Sequence, residues 1–140
     1  MEVLLSQYTV HLFTQLSIGL LFFNPSLRTR LSSQRAAQNL GMDAVVLDVG
    51  AESWKLEFSD GTIMNGDTAE HIKEAAAVMG AYFDFIAIRA FAGLKDRTYD
   101  YSEPVLTAFM QYAGVPIINM ESSTGHPLQA FADLLTIEGL

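Results

Sequence analysis

The sequence predicts an α/β domain with a parallel sheet covered by helices on both faces. Three observations lead there. Short apolar runs that stop at turn residues alternate along the chain with longer segments of helical character, the pattern of crossover-connected parallel strands. The chain has 140 residues, the size of one domain with one core. Half of its residues are hydrophobic, enough to fill an interior and to exclude global disorder.

The elements follow in order. Residues 1–17 form an N-terminal helical segment, amphipathic, leading into the first strand. Ser6, Gln7, Thr9, His11, Thr14, Gln15 and Ser17 interrupt it too often for a membrane span. It also lacks the basic start of a signal peptide, since no Lys or Arg precedes Arg28. Residues 18–23 are a buried strand ending at Asn24-Pro25. Residues 29–40 are a helix that Gly41 can stop. Residues 44–47 are a Val-rich second strand. Residues 48–65 are polar, contain Gly50, Trp54 and Gly61, and form a long loop with room for a short hairpin. A helix over 68–80, a strand over 85–88 and a loop over 91–101 follow. A helix over 103–114 carries Pro104 in its first turn. A fourth strand over 115–119 and a last helix over 127–137 complete the domain. Tyr82-Phe83-Asp84-Phe85 is expected to pack, and Asp67, His71 and Lys73 to form a solvated helix face.

Charge and composition narrow the function. Eight Lys and Arg face 16 Asp and Glu, a formal charge of −8. That balance argues against nucleic acid and anionic membrane as partners. With no cysteine, disulfides, thiolate catalysis and zinc–sulfur sites are excluded. A reducing, cytoplasmic setting fits that absence. Against the acidic background, the local cluster of Arg28, Arg30 and Arg35 stands out, although a solvated helix face is the plainer account of it.

The segment Phe22-Phe23-Asn24-Pro25-Ser26-Leu27-Arg28-Thr29-Arg30 has the order strand, turn, helix start. Unpaired N–H groups and the dipole at a helix start attract an anion. Ser26 and Thr29 add hydroxyls, and Arg28 a forked cation. Ligands of open parallel sheets bind beyond the carboxyl ends of the strands. Arg89 closes the third strand, and His126-Pro127-Leu128-Gln129 follows the fourth. Trp54 and Lys55 follow the second. Singly, each has a dull alternative: Arg89 as a surface residue, His126 as a satisfied loop histidine, Gln129 as an ordinary helix start, Trp54 as a core cover. Their common placement at one sheet edge points to a small phosphorylated ligand.

These motifs resemble the carbamoyl-phosphate domain of the aspartate/ornithine carbamoyltransferases. The likeness rests on Ser26-Leu27-Arg28-Thr29, Arg89 and His126-Pro127-Leu128-Gln129, in order and spacing, over residues 18 to 138. Within the family, Phe23 to Ser32, Trp54-Lys55-Leu56-Glu57 and Met64-Asn65-Gly66-Asp67 have the wording of the N-acetylornithine and N-succinylornithine enzymes. The resemblance implies a three-layer αβα domain on four parallel strands. It implies that Ser26, Leu27, Arg28 and Thr29 hold the phosphate of carbamoyl phosphate, partly through backbone N–H groups. It implies that Arg89 bridges phosphate and carbamoyl oxygen, that Thr29 and His126 contact that oxygen, and that Gln129 and the backbone near Leu128 hold the amide. Trp54 matches a residue that reaches a neighbouring subunit's site, which implies a homotrimer.

The chemistry implied is transfer of the carbamoyl group to an amine in arginine biosynthesis, with no metal, cofactor or covalent nucleophile. Arg89, His126 and Thr29 would act as an oxyanion hole, where one donor is typically worth about 3 kcal/mol. Ala69 stands where relatives carry a residue tied to the acyl group they prefer, and Gly125 is less usual before the histidine motif. Family members are about twice this length, so a second, amino-acid-binding domain is expected outside this chain, and the chain alone is expected to be catalytically incomplete. Two other functions are compatible with the motifs: a domain of a plain ornithine or aspartate enzyme, and a non-catalytic phosphate-binding module.

Overall fold

The computed structural model describes residues 13–50, 54–59, 61–64 and 66–139. Four parallel strands form the sheet: β1 (Ser17–Phe22), β2 (Asp43–Asp48), β5 (Phe85–Arg89) and β6 (Ile117–Glu121), in the order β2-β1-β5-β6. A separate two-stranded parallel pair is made by β3 (Leu56–Glu57) and β4 (Glu70–His71). Five helices complete the described chain: α1 (Arg28–Asn39), α2 (Ile72–Tyr82), α3 (Arg97–Tyr101), α4 (Pro104–Tyr112) and α5 (Pro127–Glu138). Among the described residues, no helix is long and apolar enough to cross a membrane.

The middle strands explain the layering. β1 and β5 are buried almost throughout, as apolar runs covered on both faces must be. Successive side chains point to opposite faces. Ile18, Leu20 and Phe22 join Ala37 of α1, Ala87 and Met120 in one cluster. Leu21, Ile86 and Ile88 join α2 and α4, through Ala75, Ala76, Met79, Leu106 and Phe109, in the other. Two glycines permit this closeness. A Cβ on Gly19 would lie 2.7 Å from the Phe83 ring, and one on Gly80 would lie 1.7 Å from the carbonyl oxygen of Ala113. Gly41, at φ 78, lies just past the Leu40 cap of α1 and ends it in the left-handed region that glycine tolerates.

Several boundaries differ from the sequence expectation. The expected hairpin within 48–65 is instead parallel: Val49 bridges Trp54, and Leu56–Glu57 pair with Glu70–His71. Those last two residues are taken by the pairing, so the helix expected from 68 begins at Ile72, with the His71 ring accepting from Lys73 N at 3.2 Å. Asp67 and His71 therefore precede the helix. Asp67 pairs with Lys55 across the loop. The loop expected over 91–101 contains α3, a five-residue helix too short to show a period. Its start is fixed by Asp96, whose carboxylate accepts from Thr98 N and Tyr99 N. In the expected aromatic packing segment, Phe83 does pack, but Tyr82 is exposed. The strand expected over 115–119 is Ile117–Glu121: Gly114 (φ 71) and Pro116 hold back its start, and the pairing of Glu121 with Arg89 carries its end two residues further. The helix expected over 1–17 lies mostly outside the described residues. Within them, 13–16 form a turn, with Leu16 N donating to Phe13 O at 3.1 Å.

Candidate functional site

The carboxyl ends of β1, β5 and β6 open onto a cleft of about 500 Å³ lined by Ser26, Arg28, Thr29, Ser32, Arg89, Glu121, His126, Leu128, Gln129 and Ala132. Three sequence positions about 30 to 60 residues apart meet here because parallel strands bring their carboxyl ends to one edge.

The β1–α1 turn supplies one wall. Helix α1 begins without an acidic residue in its first turn and without a side-chain cap at Leu27. Its dipole is thus not offset locally. The Ser26 hydroxyl accepts from Thr29 N at 3.3 Å, which tightens the turn. Arg28 is exposed and lines the cleft. The arginine cluster separates: Arg30 pairs with Asp48 and lies 5.4 Å over the Phe22 ring, and Arg35 is exposed further along the helix.

Arg89 is the most constrained member. It is 8% exposed at the end of β5. Its Nε donates to Glu121 Oε2 at 3.0 Å, and Nη1 donates to Pro25 O at 2.7 Å and Asn24 O at 3.2 Å. The guanidinium lies 4.1 Å over the Phe91 ring. Asn24 Oδ1 in turn accepts from Phe91 N at 2.7 Å, tying the two strand ends together. Nη2 has no hydrogen-bond partner among the described residues.

Glu121 was not singled out from the sequence, where the fourth strand was expected to end at Asn119. A register shift between Ile88 and Arg89 sets Arg89 opposite Glu121. Such irregularities re-aim side chains at strand ends. A charged residue closing an apolar strand is the signal that picked out Arg89, and it would have found Glu121 had the strand been extended two residues.

His126 caps α5. Its Nδ1 accepts from Gln129 N at 3.3 Å, so in the neutral ring the proton is assigned to Nε2. That nitrogen lies 3.4 Å from Glu121 Oε2, long for a hydrogen bond. Gln129 lines the cleft while its amide group donates to Asp133 Oδ1 at 2.8 Å.

Three sequence-singled residues lie off this cleft. The Leu27 side chain is 75% exposed and lines a neighbouring groove with Phe23, Asn24, Arg30 and Asp48. Trp54 is half-buried, packs on the core and accepts from Gly50 N through its carbonyl at 3.1 Å. Ala69 is exposed, and its N donates to Lys55 O at 2.9 Å. No group of three or more metal-ligating side chains occurs among the described residues.

The geometry offers a helix start, two arginines, three hydroxyls and an imidazole N–H around one small volume. Such a set can hold a phosphate and, beside it, a carbonyl oxygen gaining negative charge.

Comparison with known proteins gives a consistent picture. Residues 3–139 match the family model described as aspartate/ornithine carbamoyltransferase, carbamoyl-P binding domain. The chain is 55% identical over 122 residues to N-succinylornithine carbamoyltransferase of Bacteroides thetaiotaomicron, covering 87% of this chain and 38% of that protein. It is 49% identical over 122 residues to N-acetylornithine carbamoyltransferase of Xanthomonas campestris pv. campestris, covering 87% of this chain and 36% of that one. A crystal structure of acetylornithine transcarbamylase complexed with acetylcitrulline superimposes with a TM-score of 0.85 at 41% identity, over 99% of this chain and 44% of the other. The chain therefore spans about two-fifths of the length of the relatives it matches.

Proposed function

Because the chain belongs to the aspartate/ornithine carbamoyltransferase family, we propose that its cleft binds carbamoyl phosphate for transfer to an N-acylated ornithine. The phosphate sits at the start of α1, held by Ser26, Leu27, Arg28 and Thr29, with Leu27 contributing its backbone N–H. Arg89 spans phosphate and carbamoyl oxygen through Nη2. Thr29 and His126 Nε2–H donate to that oxygen, while Gln129 and the backbone at Leu128 hold the amide. The amine attacks the carbonyl carbon, negative charge gathers on its oxygen, and the C–O bond to phosphate then breaks. Phosphate leaves with the bonding electron pair and takes up the proton that the amine loses. Fixed donors around the oxygen stabilise the tetrahedral state more than the planar ground state, which is what accelerates the step.

One observation carries this reading: Ser26, Arg28, Thr29, Arg89, His126, Leu128 and Gln129 line a single cleft. The acylated amine is favoured because the relatives described above are N-succinylornithine and N-acetylornithine enzymes. The amine would be held largely by the rest of a longer, cytoplasmic protein whose activity serves arginine biosynthesis. Trp54 would reach a neighbouring subunit's cleft in a homotrimer, and Ala69 would bear on the acyl group.

Titration calorimetry tests the binding step. Carbamoyl phosphate is expected to bind the wild-type chain with 1:1 stoichiometry, and Arg28→Ala to weaken it about tenfold, the loss of one charge-assisted contact. Absence of binding, or binding indifferent to Arg28→Ala, would leave only a non-catalytic module. The substrate is tested by assaying the longer protein with N-acetylornithine, N-succinylornithine and ornithine. Turnover of ornithine alone would overturn the acyl assignment.

A further inference from the structure

We propose that Glu103, which does not line the cleft, is a positioning residue for His126. Its carboxylate holds the loop that carries the imidazole from the end of β6 to the start of α5. This rests on the carbamoyl-phosphate reading of the cleft for its consequence, but the geometry stands apart from it.

Glu103 lies just before α4 with φ 50 and ψ 54, in the left-handed region. A non-glycine residue stays there only where its surroundings compel it. Capping does not supply the compulsion, because the side chain makes no hydrogen bond to its own helix. It turns instead to residues 122–124. Oε1 accepts from Ser122 Oγ at 2.8 Å, Thr124 N at 2.8 Å and Thr124 Oγ1 at 2.6 Å, and Oε2 accepts from Ser123 N at 3.3 Å. Burial opposes the charge, but the Thr124 and Ser122 hydroxyls and the two backbone amides outweigh it and hold the carboxyl below its ordinary range.

The loop so held has one purpose visible in the fold. It runs from Glu121 to His126, both of which line the cleft. Ser122 N donates to Gly125 O at 2.8 Å, closing it into a tight turn. Asn119 Nδ2 donates to Ser122 Oγ at 3.0 Å, so β6 joins the same network. Among the described residues, the ring of His126 is then set by two polar contacts, Gln129 N and Glu121. A loop free to relax would let the ring turn and exchange its tautomer, and the Nε2–H would no longer be presented to a ligand.

The test uses the full chain with Glu103→Gly and Glu103→Gln. Glycine accepts the left-handed backbone, so Glu103→Gly removes the carboxylate without adding strain. The imidazole nitrogens are followed by long-range ¹H–¹⁵N correlation, with the His126 signals identified by their loss in His126→Gln. Wild-type protein is expected to show a single Nε2–H tautomer at His126. In Glu103→Gly the two nitrogens should move toward an exchange average, with an intermediate shift in Glu103→Gln. Carbamoyl phosphate affinity should fall by up to about tenfold in Glu103→Gly, as expected for one lost neutral hydrogen bond. An unchanged His126 signature in both variants overturns the proposal. If Glu103→Gly does not fold, the imidazole of Glu103→Gln decides by the same criterion. If wild-type protein binds no carbamoyl phosphate, the ligand reading falls, while the imidazole comparison still decides whether Glu103 sets His126.

Discussion

Arg89 and Glu121 form the ion pair on which the geometry of the cleft depends. A guanidinium this buried is tolerated because a carboxylate and two backbone carbonyls take its N–H groups. Removing the carboxylate leaves a buried charge uncompensated. Glu121→Ala is therefore expected to lower unfolding free energy by about 3 kcal/mol, read from urea denaturation. A change within about 0.5 kcal/mol would show that the pair does not anchor the cleft. Arg89→Lys keeps the charge but loses the fork that reaches Glu121 and Pro25 together and leaves Nη2 for the proposed ligand. It should weaken carbamoyl phosphate binding at least about tenfold in calorimetry; wild-type affinity would show that charge alone suffices. At this level the sequence was partly legible. Ser26, Arg28, Arg89 and His126 stand in motifs at strand ends, where residue type and position speak together. Glu121 was hidden because Asn119 interrupts the apolar run two residues before the strand stops. Glu103 was hidden because its carboxylate acts across a crossover, on residues 19 to 21 positions away.

Helices α2 and α4 cross closely at Gly80, where a Cβ would collide with the Ala113 carbonyl oxygen at 1.7 Å. Backbone cannot step aside as a flexible side chain can. Gly80→Ala should cost about 3 kcal/mol and lower Tm by roughly 10 °C, despite the better helix propensity of alanine. Gly66→Ala meets no atom within 4 Å and should melt with the wild-type protein. Equal melting of the two variants would contradict the close crossing. The larger segments were the legible ones. The four sheet strands, α1, α2, α4 and α5 announce themselves by apolar runs, turn residues and Pro or Gly at their ends. The pairing of Leu56–Glu57 with Glu70–His71 did not, since two-residue strands carry no period and their partners are 14 residues apart. Helix α3 is likewise marked only by its Asp96 cap.

Across the whole molecule, carboxylates link the fold to pH, and two of them, Asp84 and Glu103, join segments far apart in sequence. The backbone N–H and hydroxyl of Ser17 hold Asp84 below its ordinary range, joining the start of β1 to the turn before β5. Donors from the 122–124 loop do the same for Glu103 against the cost of burial. Folded pKa values below the unfolded ones mean that the unfolded chain binds more protons in this range. The stabilisation is complete above the ordinary carboxylate values and is lost as pH falls through the lowered folded ones. Melting temperature should drop on acidification from about pH 5 to about pH 3, and less steeply in Asp84→Asn/Glu103→Gln. Equal slopes would contradict the linkage. The edge formed by β1, β5 and β6 is expected to receive carbamoyl phosphate. A crystal structure of the chain with that compound decides it. The phosphate should lie at the start of α1 beside Arg28, with the carbamoyl oxygen within hydrogen-bond distance of Arg89 and His126 Nε2. A ligand seated in the neighbouring groove beside Leu27 and Arg30, or an empty cleft at saturating concentration, would contradict it.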